Sequence, residues 1–388
     1  MTNAPAIIGW SHTRFGRLEA DRESLMVEAA RSAVEHAGLT FADIDAIHVG
    51  TYNNGFDSQG FEAALLSAHI PQLAATPAHR HENACATGSA AVFAAHDSVA
   101  AGRYRTTLVL GVEKMTAVSG AQVNNVLLSA SYRAEEESYG SFAGVFAEVA
   151  RRYEEAYEDP SEAMARIAAK NHANGSSNPL AHLQKDLGFE FCNAISEKNP
   201  TVAGQLRRTD CSLVSDGAAA LVIAAPEVTA GAPRAVALRG MGNANDALPI
   251  SGRDPLAFRG AAAAMEQALA AAGISLRDLS LLETHDCFTI AELLQYEAFG
   301  LAAPGRGADV ITAGVTAHDG ELPVNPSGGL KSKGHPIGAT GVSMHVMAAM
   351  QLTETFPGLQ VPAPELAGVF NMGGLAVSNF ASVLERVA

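Results

Sequence analysis

Positive charge is scarce in this chain. Its 388 residues hold 26 Lys and Arg against 41 Asp and Glu, a formal net charge of -15. Nucleic acid and anionic membrane surfaces are held by clustered cations, so neither is expected as a partner. A phosphorylated small molecule needs only a few local cations and stays open. Cysteine is also sparse: Cys85, Cys192, Cys211 and Cys287 form no CxxC pair and keep no regular spacing. That excludes a disulfide framework and a sequence-encoded zinc site, and it points to a reducing compartment. Nor is there an uninterrupted apolar run of membrane-spanning length, since "AAAAMEQALAAAGI" is broken by Glu266 and Gln267. "MTNAPAIIGW" lacks a basic stretch leading into an apolar core, and "LERVA" is not a peroxisomal address. The expected location is the cytoplasm, without membrane insertion.

What the chain has is apolar mass, 48% against 17% charged, as in a soluble, well-buried enzyme. Its length suits two or three domains, or one large α/β unit. It also repeats itself. "AVEHAGLTFADIDA" (33–46) and "ALAAAGISLRDLSL" (268–281) both read as a helix stopped by Ala-Gly, with an Asp five residues after the Gly. "CATGSAAVFAA" from Cys85 and "GATGVSMHVMAA" from Gly338 both place Ala-Thr-Gly at a turn before an Ala-rich helix. The two pairs fall in the same order, which predicts a duplicated α/β unit. Continuous apolar runs such as "TTLVLGV" (106–112) and "AAALVIAA" (218–225) read as strands buried on both faces. Residues 117–205 break the pattern with polar, helical stretches, and read as an inserted segment positioned to cover a ligand. The expected division is an N-terminal half over 1–116, completed by about 206–230, an inserted loop domain over 117–205, and a C-terminal half over 231–388.

Reactive side chains cluster at the turns. Cys85 sits where a turn gives way to a helix, among Ala84, Ala86 and Gly88, so a bulky substrate has access to the sulfur. A helix N-terminus alone lowers a thiol pKa by less than about one unit, so an active Cys85 needs a base. "NPSGGLKSKGHPIGATG" (325–341) carries five glycines and holds His335 between Gly334 and Pro336, just before the repeat partner of the Cys85 turn. Duplication therefore sets His335 opposite Cys85. "THDCFT" (284–289) adds His285, Asp286 and Cys287, and "VFNMGGLAVSNF" (369–380) offers Gly373 as a bare backbone N–H donor. His79, His81 and Glu82 are a weaker, metal-like grouping with no second cluster at ligand spacing. No metal is expected.

Together these stretches resemble the thiolase superfamily over nearly the whole chain, and "HDCF" with the Gly-His-Pro loop is most similar to its sterol-carrier-protein type. The resemblance implies a duplicated five-layered αβαβα core with an inserted loop domain. It implies an acyltransferase that interconverts 3-ketoacyl-CoA plus CoA with acyl-CoA plus acetyl-CoA, with CoA as substrate and no permanently bound cofactor. Carried onto this sequence, Cys85 is the nucleophile that takes the acyl group, and His335 its base. His285 and His335 support the enolate oxygen, and the N–H groups of Cys85 and Gly373 hold the tetrahedral adduct. Other thiolases place an acid/base cysteine in a C-terminal Cys-x-Gly motif, where this chain has Asn371. That leaves proton transfer at the α-carbon to Cys287, with Asp286, Cys192 and Cys211 structural. Lys331 and Lys333 are the candidate CoA contacts near the mouth. The resemblance also implies a homodimer or a dimer of dimers. Three alternatives remain at this point. A ketosynthase-like condensing enzyme shares the Cys-His-His set but needs no Cys287. An aldolase or acyltransferase working with an OB-fold partner is another, although aldolase relatives tend to lose the nucleophile. The third is a metal-binding or scaffold protein, which a stoichiometric metal beside an unreactive Cys85 would favour.

Overall fold

The computed structural model describes residues 4–388. Strand β1 (Ala6–His12) leads to α1 (Arg22–His36), β2 (Ala46–Gly50), β3 (Ala78–His81), α2 (Thr87–Ala100) and β4 (Thr106–Lys114). After helices α3 (Phe142–Ala156) and α4 (Ser161–Ser176), the chain returns to the sheet as β5 (Asp216–Ala224). The second half runs β6 (Val236–Asn245), α5 (Arg259–Ala272), β7 (Leu281–Glu283), α6 (Thr289–Ala298), α7 (Ile337–Leu352), β8 (Leu366–Gly373) and β9 (Ser378–Arg386).

The strand order is β3-β2-β4-β5-β1-β6-β9-β8-β7. Five strands come from the first half and four from the second. They meet at β1 and β6 through only two residue pairs, Ala6 with Ala237 and Ile7 with Val236. Helix α1 covers one outer face against β1 and β5, and α5 covers the other against β6 and β9. Helices α2 and α7 pack on each other between the half-sheets. Helix α7 is buried on almost every side, as a helix apolar all round must be. The result is the expected αβαβα layering.

Both sequence repeats are visible in the backbone. Helices α1 and α5 each end on a glycine in the left-handed region, Gly38 at φ +70 and Gly273 at φ +69. Each is followed by a one-turn helix whose Asp caps the chain, Asp43 accepting from Thr40 N at 2.8 Å and Asp278 from Ser275 N at 2.7 Å. Each helix also lies close enough to its strand to need glycine there. A Cβ on Gly9 would fall 2.6 Å from the Ala37 Cβ, and one on Gly240 would fall 2.8 Å from the Ala272 Cβ. The second repeat forms the centre. A Cβ on Gly88 would lie 2.8 Å from the Gly341 nitrogen, so the two Ala-Thr-Gly turns touch where α2 and α7 cross. That crossing brings two helix N-termini, and the residues just before them, to one point.

Candidate active site

Cys85 precedes α2 in a tight turn: Ala84 takes φ +48, Ala86 N donates to Asn83 O at 3.0 Å and Thr87 N to Ala84 O at 3.1 Å. The thiol is 3% exposed, and burial pushes it up to about 12 despite N–H donors from Gly374 and from Cys85 itself. His335 enters from the loop before α7. Burial and the nearby Lys333 charge lower it to about 3, so the ring is neutral at pH 7. Its Nδ1 lies 2.7 Å from Thr340 Oγ1, and that hydroxyl donates its own hydrogen to Pro336 O at 2.9 Å. Thr340 therefore accepts from Nδ1–H, which leaves His335 Nε2 with a free lone pair. The Cys85 sulfur and one ring nitrogen each from His285 and His335 lie within 4.8 Å of one another.

His285 meets His335 edge to face, with ring centroids 5.1 Å apart. It is fully buried, and burial with the His335 and Lys333 charges holds its pKa well below the ordinary value. Its Nδ1 lies 2.9 Å from Asn371 Nδ2, and its Nε2 has no partner. Cys287 is 2% exposed and lines the same cavity as Cys85 and His335. Burial pushes its thiol well above the usual range, with Cys85 and Asp286 adding to the effect. A resting pair of neutral thiols and neutral imidazoles follows. Iodoacetamide labelling of Cys85 is then expected to rise about tenfold per pH unit from pH 6 to 10. Mass spectrometry of the labelled peptide reads it, and a plateau below pH 8 would reveal a resting thiolate–imidazolium pair instead.

Asp286 points away from the cavity. Its carboxylate accepts from Leu330 N at 2.6 Å, Lys331 N at 3.2 Å and Asn171 Nδ2 at 2.7 Å, pinning the turn that precedes His335. Burial and the neighbouring Glu292 push its pKa upward. One expectation from the sequence needs correction. Lys331 and Lys333 do not lie at a mouth: each is 1% exposed. Lys331 Nζ donates to Cys211 O and Lys333 Nζ to Ser343 Oγ at 2.8 Å. The Asp286 anchor turns this stretch inward, so neither ammonium reaches a solvent-borne phosphate. An N–H of Gly374, one residue beyond Gly373, faces the Cys85 sulfur. Strand β8 ends at Gly373, and the chain turns at Gly374 (φ +63). Gly373 lets β8 approach the Cys85 turn, since a Cβ there would collide with Asn83 O. His79 and His81 sit on β3, away from the catalytic group, with His81 Nε2 3.0 Å from His48 Nδ1.

The family follows from comparison of the whole chain. Residues 6–227 match the thiolase N-terminal domain and residues 242–386 the thiolase C-terminal domain-like family. The chain belongs to the thiolase family. Among curated relatives, an acetyl-CoA acetyltransferase of Methanothermobacter thermautotrophicus is 34% identical over 95% of this chain and 96% of its own. Human sterol carrier protein 2 is 30% identical over 95% of this chain and 69% of that protein. Among solved structures, the Ltp2-ChsH2(DUF35) aldolase superposes with a TM-score of 0.81 at 21% identity, covering 99% of this chain and 98% of that one. The protein is accordingly an acyltransferase of the thiolase type.

In this thiolase Cys85, Cys287 and His335 line a cavity of about 220 Å³ whose walls are chiefly apolar, among them Met115, Leu127, Phe142 and Phe288. Phe288 stacks on Phe146 of α3 at 4.3 Å between centroids, so the segment between β4 and β5 supplies much of the wall. A wider cavity of about 640 Å³ shares Met115, Asn124, Leu127 and Val214 with the first and carries Arg17 and His182 on its rim. None of these wall residues had a sequence signal beyond apolarity; Arg17 and His182 come together only through the fold. No described helix is long and apolar enough to cross a membrane.

Proposed function

We propose that the protein cleaves and forms 3-ketoacyl-CoA thioesters through an acyl-Cys85 intermediate. The observation that carries this reading is the convergence of Cys85, His285 and His335, with Cys85, Cys287 and His335 lining one apolar cavity. In the cleavage direction, His335 Nε2 takes the Cys85 proton and the thiolate adds to the C3 carbonyl. The N–H groups of Gly374 and Cys85 receive the oxyanion. The C2–C3 bond breaks, and its electron pair becomes the enolate of acetyl-CoA, whose oxygen faces His285 and protonated His335. Cys287 gives its proton to C2 and then takes the proton of incoming CoA. The CoA thiolate attacks the Cys85 thioester, and His335 returns the proton to the departing Cys85.

The acyl group on Cys85 is apolar, matching the walls around it. CoA enters as substrate through the wider cavity, with Arg17 and His182 in the place the sequence had assigned to Lys331 and Lys333. No permanent cofactor is required by these steps. A homodimer fits the free edge of β3, beside which Phe61 is 80% exposed. A panel of 3-ketoacyl-CoA thioesters tests the activity. CoA-dependent cleavage of apolar members is expected, and failure of every member would remove the degradative reading. Light scattering on the same preparation tests the dimer, and a single 40.2 kDa species would remove it.

A second reading has one observation behind it, the close superposition on an aldolase that acts with a DUF35 protein. On that reading a small OB-fold partner completes the enzyme. The presence of Cys85 weighs against it, and turnover by the isolated chain decides.

A further inference from the structure

Two neutral histidines flank the reacting sulfur, and their chemical use depends on which nitrogen of each carries the proton. Thr340 settles His335, as described above. For His285 the deciding neighbour is Asn371. Its Nδ2 lies 3.0 Å from the Cys85 carbonyl oxygen and 2.9 Å from His285 Nδ1. The carbonyl can only accept, so the atom facing it is the amide nitrogen, not the oxygen. With one N–H committed to Cys85 O, the other points at His285 Nδ1, which must then be the bare, accepting nitrogen. The proton of neutral His285 sits on Nε2, the one ring atom left without a partner in a fully buried side chain.

We propose that Asn371 is a positioning residue that holds His285 in the Nε2–H tautomer, opposite to the tautomer of His335. The two rings then divide the work: His335 arrives as a proton acceptor and His285 as a fixed hydrogen-bond donor. The same assignment predicts that three ligand atoms within 4.8 Å of one another are here a poor metal trap. A metal needs the Nε2 lone pair, and making it available forces His285 Nδ1–H against an N–H of Asn371. Such a clash leaves two buried donors unsatisfied, equivalent to at least about tenfold in affinity. The Cys-x-Gly thiol of other thiolases is thus replaced here by a group that moves no proton but decides where one rests.

Use of that donor in turnover rests on the acyltransfer reading; the tautomer itself does not. The test compares wild type with Asn371→Asp, whose carboxylate accepts from Nδ1–H and so reverses the ring. Nitrogen NMR of histidine-labelled protein should show His285 with Nδ1 bare in wild type and Nδ1 protonated in Asn371→Asp. Zinc sulfate should bind Asn371→Asp at least about tenfold more tightly than wild type. Turnover of the variant should fall about 100-fold or more in kcat, the usual loss for an oxyanion donor, with little change in KM. If Asn371→Asp fails to fold, Asn371→Ala serves, and should show both His285 tautomers in the same spectrum. A wild-type His285 protonated on Nδ1, or a tautomer and zinc affinity indifferent to residue 371, overturns the proposal. A wild type with Nδ1 bare but no thiolytic turnover upholds the positioning role and removes the acyltransfer reading instead.

Discussion

Cys85→Ala is expected to lower thiolytic turnover by roughly 10⁵-fold or more while leaving the fold intact, the scale seen when a covalent nucleophile is removed. The sulfur is the only atom lost, and it lies at the cavity surface where a small void is tolerated. No neighbour can substitute. Cys287 is the other thiol that burial holds well above the usual range in this cavity, but it lies outside the close group of Cys85, His285 and His335, as do Cys192 and Cys211. Mass spectrometry adds a second readout. Wild type incubated with an acyl-CoA should gain one acyl mass on the peptide containing Cys85, and the variant should gain none. Turnover within tenfold of wild type would place the nucleophile elsewhere.

Replacing Cys287 by alanine should separate the half-reactions. Acyl transfer from an acyl-CoA to Cys85 uses His335 and the Gly374 and Cys85 amides, and Cys287 only to protonate the departing CoA thiolate, which can leave without it, so the acyl mass should still appear. Carbon–carbon cleavage needs a proton delivered to C2, and its rate should drop between about 10² and 10⁴-fold, the span of positioned acid–base catalysis. The same variant decides between thiolytic chemistry and a decarboxylating condensation, whose carbanion arises by loss of CO₂ and requires no second cysteine. Cleavage at the wild-type rate in Cys287→Ala would end the acid/base assignment. Buried thiols of raised pKa suit this task, because Cys287 must hold its proton until the enolate forms a few ångströms away.

Much of the architecture was legible in the chain because it depends on local chemistry that recurs. The stops at Gly38 and Gly273 and the capping Asp43 and Asp278 are short-range signals, and each was readable without any knowledge of what packs nearby. Cys85 and His335 were legible for a related reason, as reactive side chains in turns beside an Ala-rich helix, and His285 and Cys287 because they stand together at the end of an apolar run. The lysines misled for the complementary reason. Lys331 and Lys333 look solvated in sequence, and only the anchor from Asp286 to the Leu330 and Lys331 amides turns that stretch into the interior. Gly373 and Gly374 are adjacent and chemically identical, so nothing short of the end of β8 and the backbone turn after it can say which amide faces the sulfur.

By itself, then, the sequence determined a duplicated α/β core, the reactive residues and the absence of a proton-carrying group at position 371. These follow from residue type and spacing, which the chain carries explicitly. Tertiary structure decided the direction of each group: Lys331 and Lys333 inward, the Gly374 amide toward Cys85, Asn371 across to His285. Direction arises where α2 meets α7 and β8, which lie more than two hundred residues further along the chain. A hydrogen bond's sense depends on which atom arrives at that crossing, and no local pattern encodes it.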